Sequence, residues 1–138
     1  RVSCGLTPHP ALLDLEMMDG PGGMLLKVTP PLRPRPLPRM MLEALGAGHI
    51  DWIETDHAPH ALAEKAGQAA ASGIPGLHFL PRFVRVLRER GMAGELLDEV
   101  THGAACRTFG ISIANTRRLP DGDLSGEYPQ DAFGPARP

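Results

Sequence analysis

Apolar positions along this chain change their spacing several times, and each change marks an element. Residues 2–6 alternate weakly and stop at Thr7-Pro8-His9-Pro10, which predicts a short strand running into a rigid, extended loop. Residues 11–18 are apolar with Asp14 and Glu16 interspersed, a pattern open to a short helix or a loop packed on strand ends. Gly20-Pro21-Gly22-Gly23 is a turn. Residues 24–28 then read as a second strand, closed by Thr29-Pro30-Pro31-Leu32-Arg33-Pro34, whose prolines forbid both helix and ladder. Pro38 suits the first turn of a helix in which Met41, Leu42 and Leu45 recur at helical spacing, with Gly46 and Gly48 marking its end. Residues 50–55 predict a third strand, which leads directly into Thr55-Asp56-His57-Ala58-Pro59-His60.

Residues 61–72 are small and polar and predict a mobile surface loop, punctuated by Gly73-Ile74-Pro75-Gly76. The most periodic stretch is 77–90, with Leu80, Phe83, Val84 and Leu87 on one face, Arg82, Arg85 and Arg88 on the other, and Gly91 as a stop. A further helix is expected from Glu95 to about Cys106, ending near Phe109-Gly110. Beyond Ile111 the pattern weakens, and 121–138 carry too little apolar material to specify a packed element. The order strand, loop, helix, strand is that of an α/β protein whose parallel strands are joined by a crossover.

Composition narrows this picture. With 138 residues and a 42% hydrophobic fraction the chain can bury one core, while 16 Gly and 15 Pro require many turns and long loops. A formal net charge of −2 provides no field suited to nucleic acid. No apolar run approaches the roughly 18 residues of a membrane span. Cys4 and Cys106 lack the spacing of a disulfide framework and fit a reducing, cytoplasmic compartment; each reads as a small packing residue. The chain begins at Arg1 rather than Met, with no basic-then-apolar order after it, so it is expected to start inside a longer protein.

Candidate chemistry concentrates where the third strand runs out. There an aspartate and two histidines crowd six residues, and Pro59 fixes its own φ near −65° between the histidines. Carboxylate oxygen and imidazole nitrogen are ligand types that zinc accepts, and catalytic zinc draws its ligands from separate segments, so this stretch is expected to be part of a site. His9, at the end of the first strand, is a second contributor. His49, His78 and His102 read as ordinary surface or helix-end residues. Glu54 shares the strand parity of Asp56 and is expected to face the same side, one layer below, paired with a basic or hydroxyl group from elsewhere.

Three stretches in order, Thr7-Pro8-His9, Lys27-Val28-Thr29-Pro30-Pro31-Leu32-Arg33 and Thr55-Asp56-His57-Ala58-Pro59-His60, resemble the dihydroorotases of class I type. These belong to the amidohydrolase superfamily of metal-dependent (β/α)8 TIM barrels. Gly73-Ile74-Pro75-Gly76 and the helix after it extend the likeness, which covers about residues 2–110. The resemblance implies that 1–110 form the C-terminal part of such a barrel, its sixth to eighth strands and following helices. Residues 111–138 would be a divergent tail, either a remnant of a small β-subdomain or disordered. It also implies two divalent metal ions, zinc by preference, with His9 binding one and Asp56 the other.

By the family's mechanism the metals lower the pKa of a bridging water, and Asp56 acts as general base while hydroxide attacks the cyclic amide of dihydroorotate. His60 would hold the substrate carboxylate, Thr29, Ser72 and Gly73 would touch the ring, and His57 would orient Asp56. The implied partners are the small-molecule substrate and, for assembly, another copy of the protein or a transcarbamoylase. The chain departs from the pattern in places. Thr29 stands where the family commonly has Asn, which keeps a hydantoinase- or allantoinase-like amidohydrolase as an alternative. No His-x-His pair occurs, and Ala104-Ala105-Cys106 replaces the family's Asn-Pro-Ala. The isolated chain is therefore expected to be inactive, and a further alternative is an inactive homologue with a structural role.

Overall fold

The computed structural model describes residues 2–66 and 69–113. Of the tail expected at 111–138, residues 114–138 lie outside the described residues. Two strands form a short parallel ladder: β1 (Gly5–Leu6) pairs with β2 (Trp52–Ile53), Gly5 opposite Trp52 and Leu6 opposite Ile53. Flanking bonds extend it, from Asp51 N–H to Cys4 O at 3.0 Å and from Glu54 N–H to Leu6 O at 3.0 Å. The Asp51 carboxylate accepts the Cys4 N–H at 2.9 Å, so the ladder begins on a side-chain bond. The pairing is parallel, as the order of elements predicts, and the long connection carries helix α2 (Pro36–Gly46).

Leu6 and Ile53 both point toward the helices. With Ala11, Leu45, Phe83, Leu87, Leu97 and Val100 they make the main core, in which Leu45 and Phe83 are wholly inaccessible. Phe83 and Leu87 come from α4 (Leu80–Glu89), the amphipathic helix expected from periodicity; Arg85 and Arg88 lie exposed on its other side. Its terminus is where the pattern places it, at Gly91, which takes the left-handed φ of +87°. The helix expected from Glu95 is α5 (Gly94–Asp98), a π turn at Glu99–Gly103 and α6 (Ala104–Phe109) in succession. A second core, of Leu13, Leu26, Val28, Leu32 and Ile74, lies under the loops.

Four expectations need correction. Residues 24–28 form no ladder: Gly23–Leu26 is a 3-10 turn, and the Lys27 carbonyl bonds instead to the Gly73 N–H at 2.9 Å. An apolar run that short fits either state, and the following prolines remove the donors a strand would need. Pro8 opens a helix, α1 (Pro8–Leu12), rather than an extended loop, because the first turn of a helix leaves its N–H groups unbonded and tolerates proline there. The described residues of the loop, 61–66 and 69–72, are anchored: they include α3 (Leu62–Lys65), with Lys65 and Ala70 buried. Cys4 is exposed rather than packed.

Candidate active site

The register of the ladder sets the site. His9 lies four residues past Gly5, and Asp56 four past Trp52, so two parallel neighbours deliver the two side chains to the same end. His9 Nε2 and Asp56 Oδ2 are 3.8 Å apart. Asp56 has a left-handed φ of +44°, an uncommon conformation for a residue with a Cβ, and it turns the chain out of β2 there. His9 is buried on α1, with the Thr7 hydroxyl 3.2 Å from both of its ring nitrogens. Burial holds the His9 imidazole below its usual pKa, with the Asp56 carboxylate pulling the other way. The neutral imidazole so favoured is the form that ligates metal.

Around this pair lies an open cavity of about 540 Å³, lined among others by Thr7, Thr29, Arg33 and Glu54. Glu54 is exposed there and accepts a 3.4 Å bond from Trp52 Nε1. Gly5 makes this possible, since a Cβ at that position would meet Glu54 Oε1 at 2.5 Å and Trp52 Nε1 at 2.7 Å. Thr7 and Arg33, both in the stretches that carry the resemblance, also line this cavity.

The remaining candidates meet at Ser72. Thr29 Oγ1 donates to Ser72 Oγ at 3.1 Å, and His60 Nε2 lies 3.1 Å from the Ser72 carbonyl oxygen. Gly73 sits against the turn after Asp56. Its φ is +146°, and a Cβ would meet Ala58 O at 2.6 Å, Ala58 Cβ at 2.7 Å and His60 Cδ2 at 3.1 Å. Ala58 N–H completes the junction with a 3.0 Å bond to Ile74 O. His57 faces a different neighbour: its Nδ1 accepts the Leu77 N–H at 3.1 Å and its ring stacks on His78 at 5.7 Å. His78, read from sequence as an ordinary residue, thus belongs to the support of this turn.

A metal would find one imidazole and one carboxylate here, both suitable zinc donors. Among the described residues no group of three or more His, Cys, Asp or Glu side chains converges. The pair fits as part of a donor set, short of the three protein ligands of a catalytic zinc.

No protein-family model matches the chain. The D-hydantoinase (dihydropyrimidinase) from Thermus sp. has a similar fold, with a TM-score of 0.60 and 25% identity, over 75% of this chain and 26% of that one. The strand-end pair therefore sits on a fold similar to that of a D-hydantoinase. Sequence narrows the likeness. The dihydroorotase of Halobacterium salinarum is 35% identical over 137 residues, which is 94% of this chain and 32% of that protein. The dihydroorotase of Lactobacillus leichmannii is 36% identical over 129 residues, 91% of this chain and 30% of its own length. That of Listeria welshimeri is 46% identical over 79 residues, covering 56% and 18%. The chain is similar to dihydroorotases in sequence and to a D-hydantoinase in fold, and it spans about a third of the length of the Halobacterium and Lactobacillus relatives.

Proposed function

We propose that the chain is the C-terminal segment, barrel strands six to eight with their helices at 1–110, of a dihydroorotase. This enzyme would hydrolyse the cyclic amide of dihydroorotate reversibly to N-carbamoyl-aspartate, a step of pyrimidine biosynthesis. The observation that carries the reading is the convergence of His9 and Asp56 at 3.8 Å from equal offsets on paired strands. Residues 111–138 are read from their sequence as a divergent tail. In the cytoplasm, the setting expected from the thiols, the partner is the small-molecule substrate.

Two divalent ions, zinc by preference, would be held by His9 and Asp56 together with donors outside the described residues. When bound they would polarise the amide carbonyl and acidify water. Asp56 then accepts a proton from the attacking water and returns it to the leaving nitrogen, which needs the carboxylate free on one side; its side chain is 54% exposed into the cavity. His60 holds the substrate carboxylate, while Thr29 Oγ1 and the backbone of Ser72 and Gly73 hold the ring's polar edge. His57, fixed by the Leu77 N–H, steadies the turn behind Asp56.

Thr29 favours a second reading within the superfamily, a hydantoinase-like ring specificity, because a hydroxyl reaches less far than an Asn amide. The test is turnover by the full-length protein, zinc-loaded, on dihydroorotate, hydantoin and allantoin. Turnover of dihydroorotate, lost on chelation and restored by zinc, is expected. Turnover of another ring alone would overturn the dihydroorotase assignment, and silence on all three with metal bound would favour an inactive homologue.

A further inference from the structure

The Lys65 side chain is buried, its residue only 3% exposed, in a segment whose composition suggests nothing but surface. Its Nζ donates to Gly73 O at 2.7 Å and to Lys27 O at 3.0 Å. Lys27 returns the connection from the other side, its Nζ donating to Ala70 O at 2.5 Å. Two like charges are thus drawn to one loop. Burial, and then the Lys27 charge, hold the Lys65 ammonium below its usual pKa. Burying an ammonium is costly unless its donors are met, and here they are met by main-chain carbonyls of two separate segments.

Those segments are the ones on which the proposed substrate contacts sit. Lys27 is two residues before Thr29, and Gly73 follows Ser72. The segments touch again where Thr29 Oγ1 meets Ser72 Oγ, and Ser72 O meets His60 Nε2. We propose that Lys65 is a positioning residue for ring binding: its ammonium sets the separation between the Thr29 segment and the Ser72-Gly73 loop by bridging one carbonyl of each. The proposal rests on the substrate reading given above. Lys65 does not reach the reacting atoms; it acts through Gly73 and Lys27, and its removal loosens Thr29, Ser72 and His60 together. An apolar side chain of similar length keeps the packing but leaves Gly73 O without its 2.7 Å donor.

The experiment uses the full-length, zinc-loaded protein and the variant Lys65→Met. Expected are a KM for dihydroorotate raised at least about tenfold with kcat within about threefold, the pattern of lost uniform binding. Amide exchange at Gly73, read without substrate, should be at least about tenfold faster, one such factor corresponding to about 1.4 kcal/mol. Exchange at Glu54, in the ladder, should be unchanged. If Gly73 exchange or KM stays at the wild-type value, or if kcat alone falls, the proposal is overturned. Wild-type protein that ignores dihydroorotate while Lys65→Met still frees Gly73 overturns the substrate reading and leaves only a loop clamp. Should Lys65→Met fail to fold, Lys65→Gln, which retains an N–H donor, must show the same split at smaller size.

Discussion

Replacing Gly73 by alanine tests how firmly the loop is pressed against the turn that carries Asp56. Two costs can be worked out. At φ +146° an L-residue is held in a conformation reserved almost entirely for glycine, worth about 1–3 kcal/mol. The new methyl would also lie 2.6 Å from Ala58 O and 2.7 Å from Ala58 Cβ, an overpacking penalty of about 1–3 kcal/mol. Together they come to about 2–6 kcal/mol, relieved only if Ala58 and the turn around it withdraw. Gly48→Ala is the control: its φ of +74° imposes the conformational cost alone, since nothing lies within 4 Å of the added Cβ. In the full-length protein, urea melts should place Gly73→Ala at least about 1 kcal/mol below Gly48→Ala, the lower bound of the packing cost. Because the contact is two residues from Asp56, kcat/KM on dihydroorotate should fall at least about tenfold in Gly73→Ala, with Gly48→Ala near wild type. Equal stability of the two variants, with kcat/KM unchanged, would show that the loop does not bear on the turn.

Other outcomes follow from single features. Asp56→Gly removes the carboxylate but suits the +44° φ, so activity should vanish while the unfolding free energy from a urea melt holds or rises by up to about 1 kcal/mol; a large loss of stability would show that Asp56 is needed for folding. Phe83→Ala opens the main core at a fully inaccessible position and should cost about 3–5 kcal/mol in a denaturant melt, with less than 1 kcal/mol counting against the packing described. Arg107 donates to Glu99 at 2.9 Å and, through that hydrogen bond, holds the Glu99 carboxyl below its usual pKa. The stabilisation is complete above the unfolded carboxylate range, about 4.3, and is lost as pH falls through the lowered folded value. Arg107→Met should therefore lose stability relative to wild type at pH 6, with the loss shrinking as pH falls below about 4, and a difference independent of pH would exclude the ion pair as its source.

What the sequence disclosed follows from how locally each feature is determined. The helix with Phe83 and Leu87 is legible because amphipathic spacing persists over several turns, and Gly91 stops it for a reason of backbone geometry. The ends of β1 and β2 are legible for the same kind of reason, as are His9 and Asp56 at them. Met24–Leu26 is not, because an apolar run of that length is decided by its partners, and its neighbours bond to the 65–73 loop rather than to a ladder. Lys65 is the clearest omission. Nothing along 61–72 separates an ammonium that caps two distant carbonyls from one in water; only the folded chain brings Lys27 O and Gly73 O to it. Arg33 and Thr7 stood inside the resembling stretches, but only the fold places them on the wall of one cavity.

The equal offset of His9 and Asp56 from their paired residues has a bearing on how this segment can evolve. Each residue added to or taken from a strand moves whatever follows by about 3.3 Å, close to the whole distance between the two side chains. An insertion in 5–9, whether in the strand or in the first turn of α1, therefore separates the pair unless 52–56 changes with it, and two such coincident events are rare. The intervening 10–51 carry no such constraint, because a long excursion between paired strands costs little more when lengthened. Length variation among relatives should gather in the stretch between the two donors and be absent from the five residues leading to each. A gap counted in either of those pentads, in a relative that keeps both side chains, would show that the ladder is not what times their arrival.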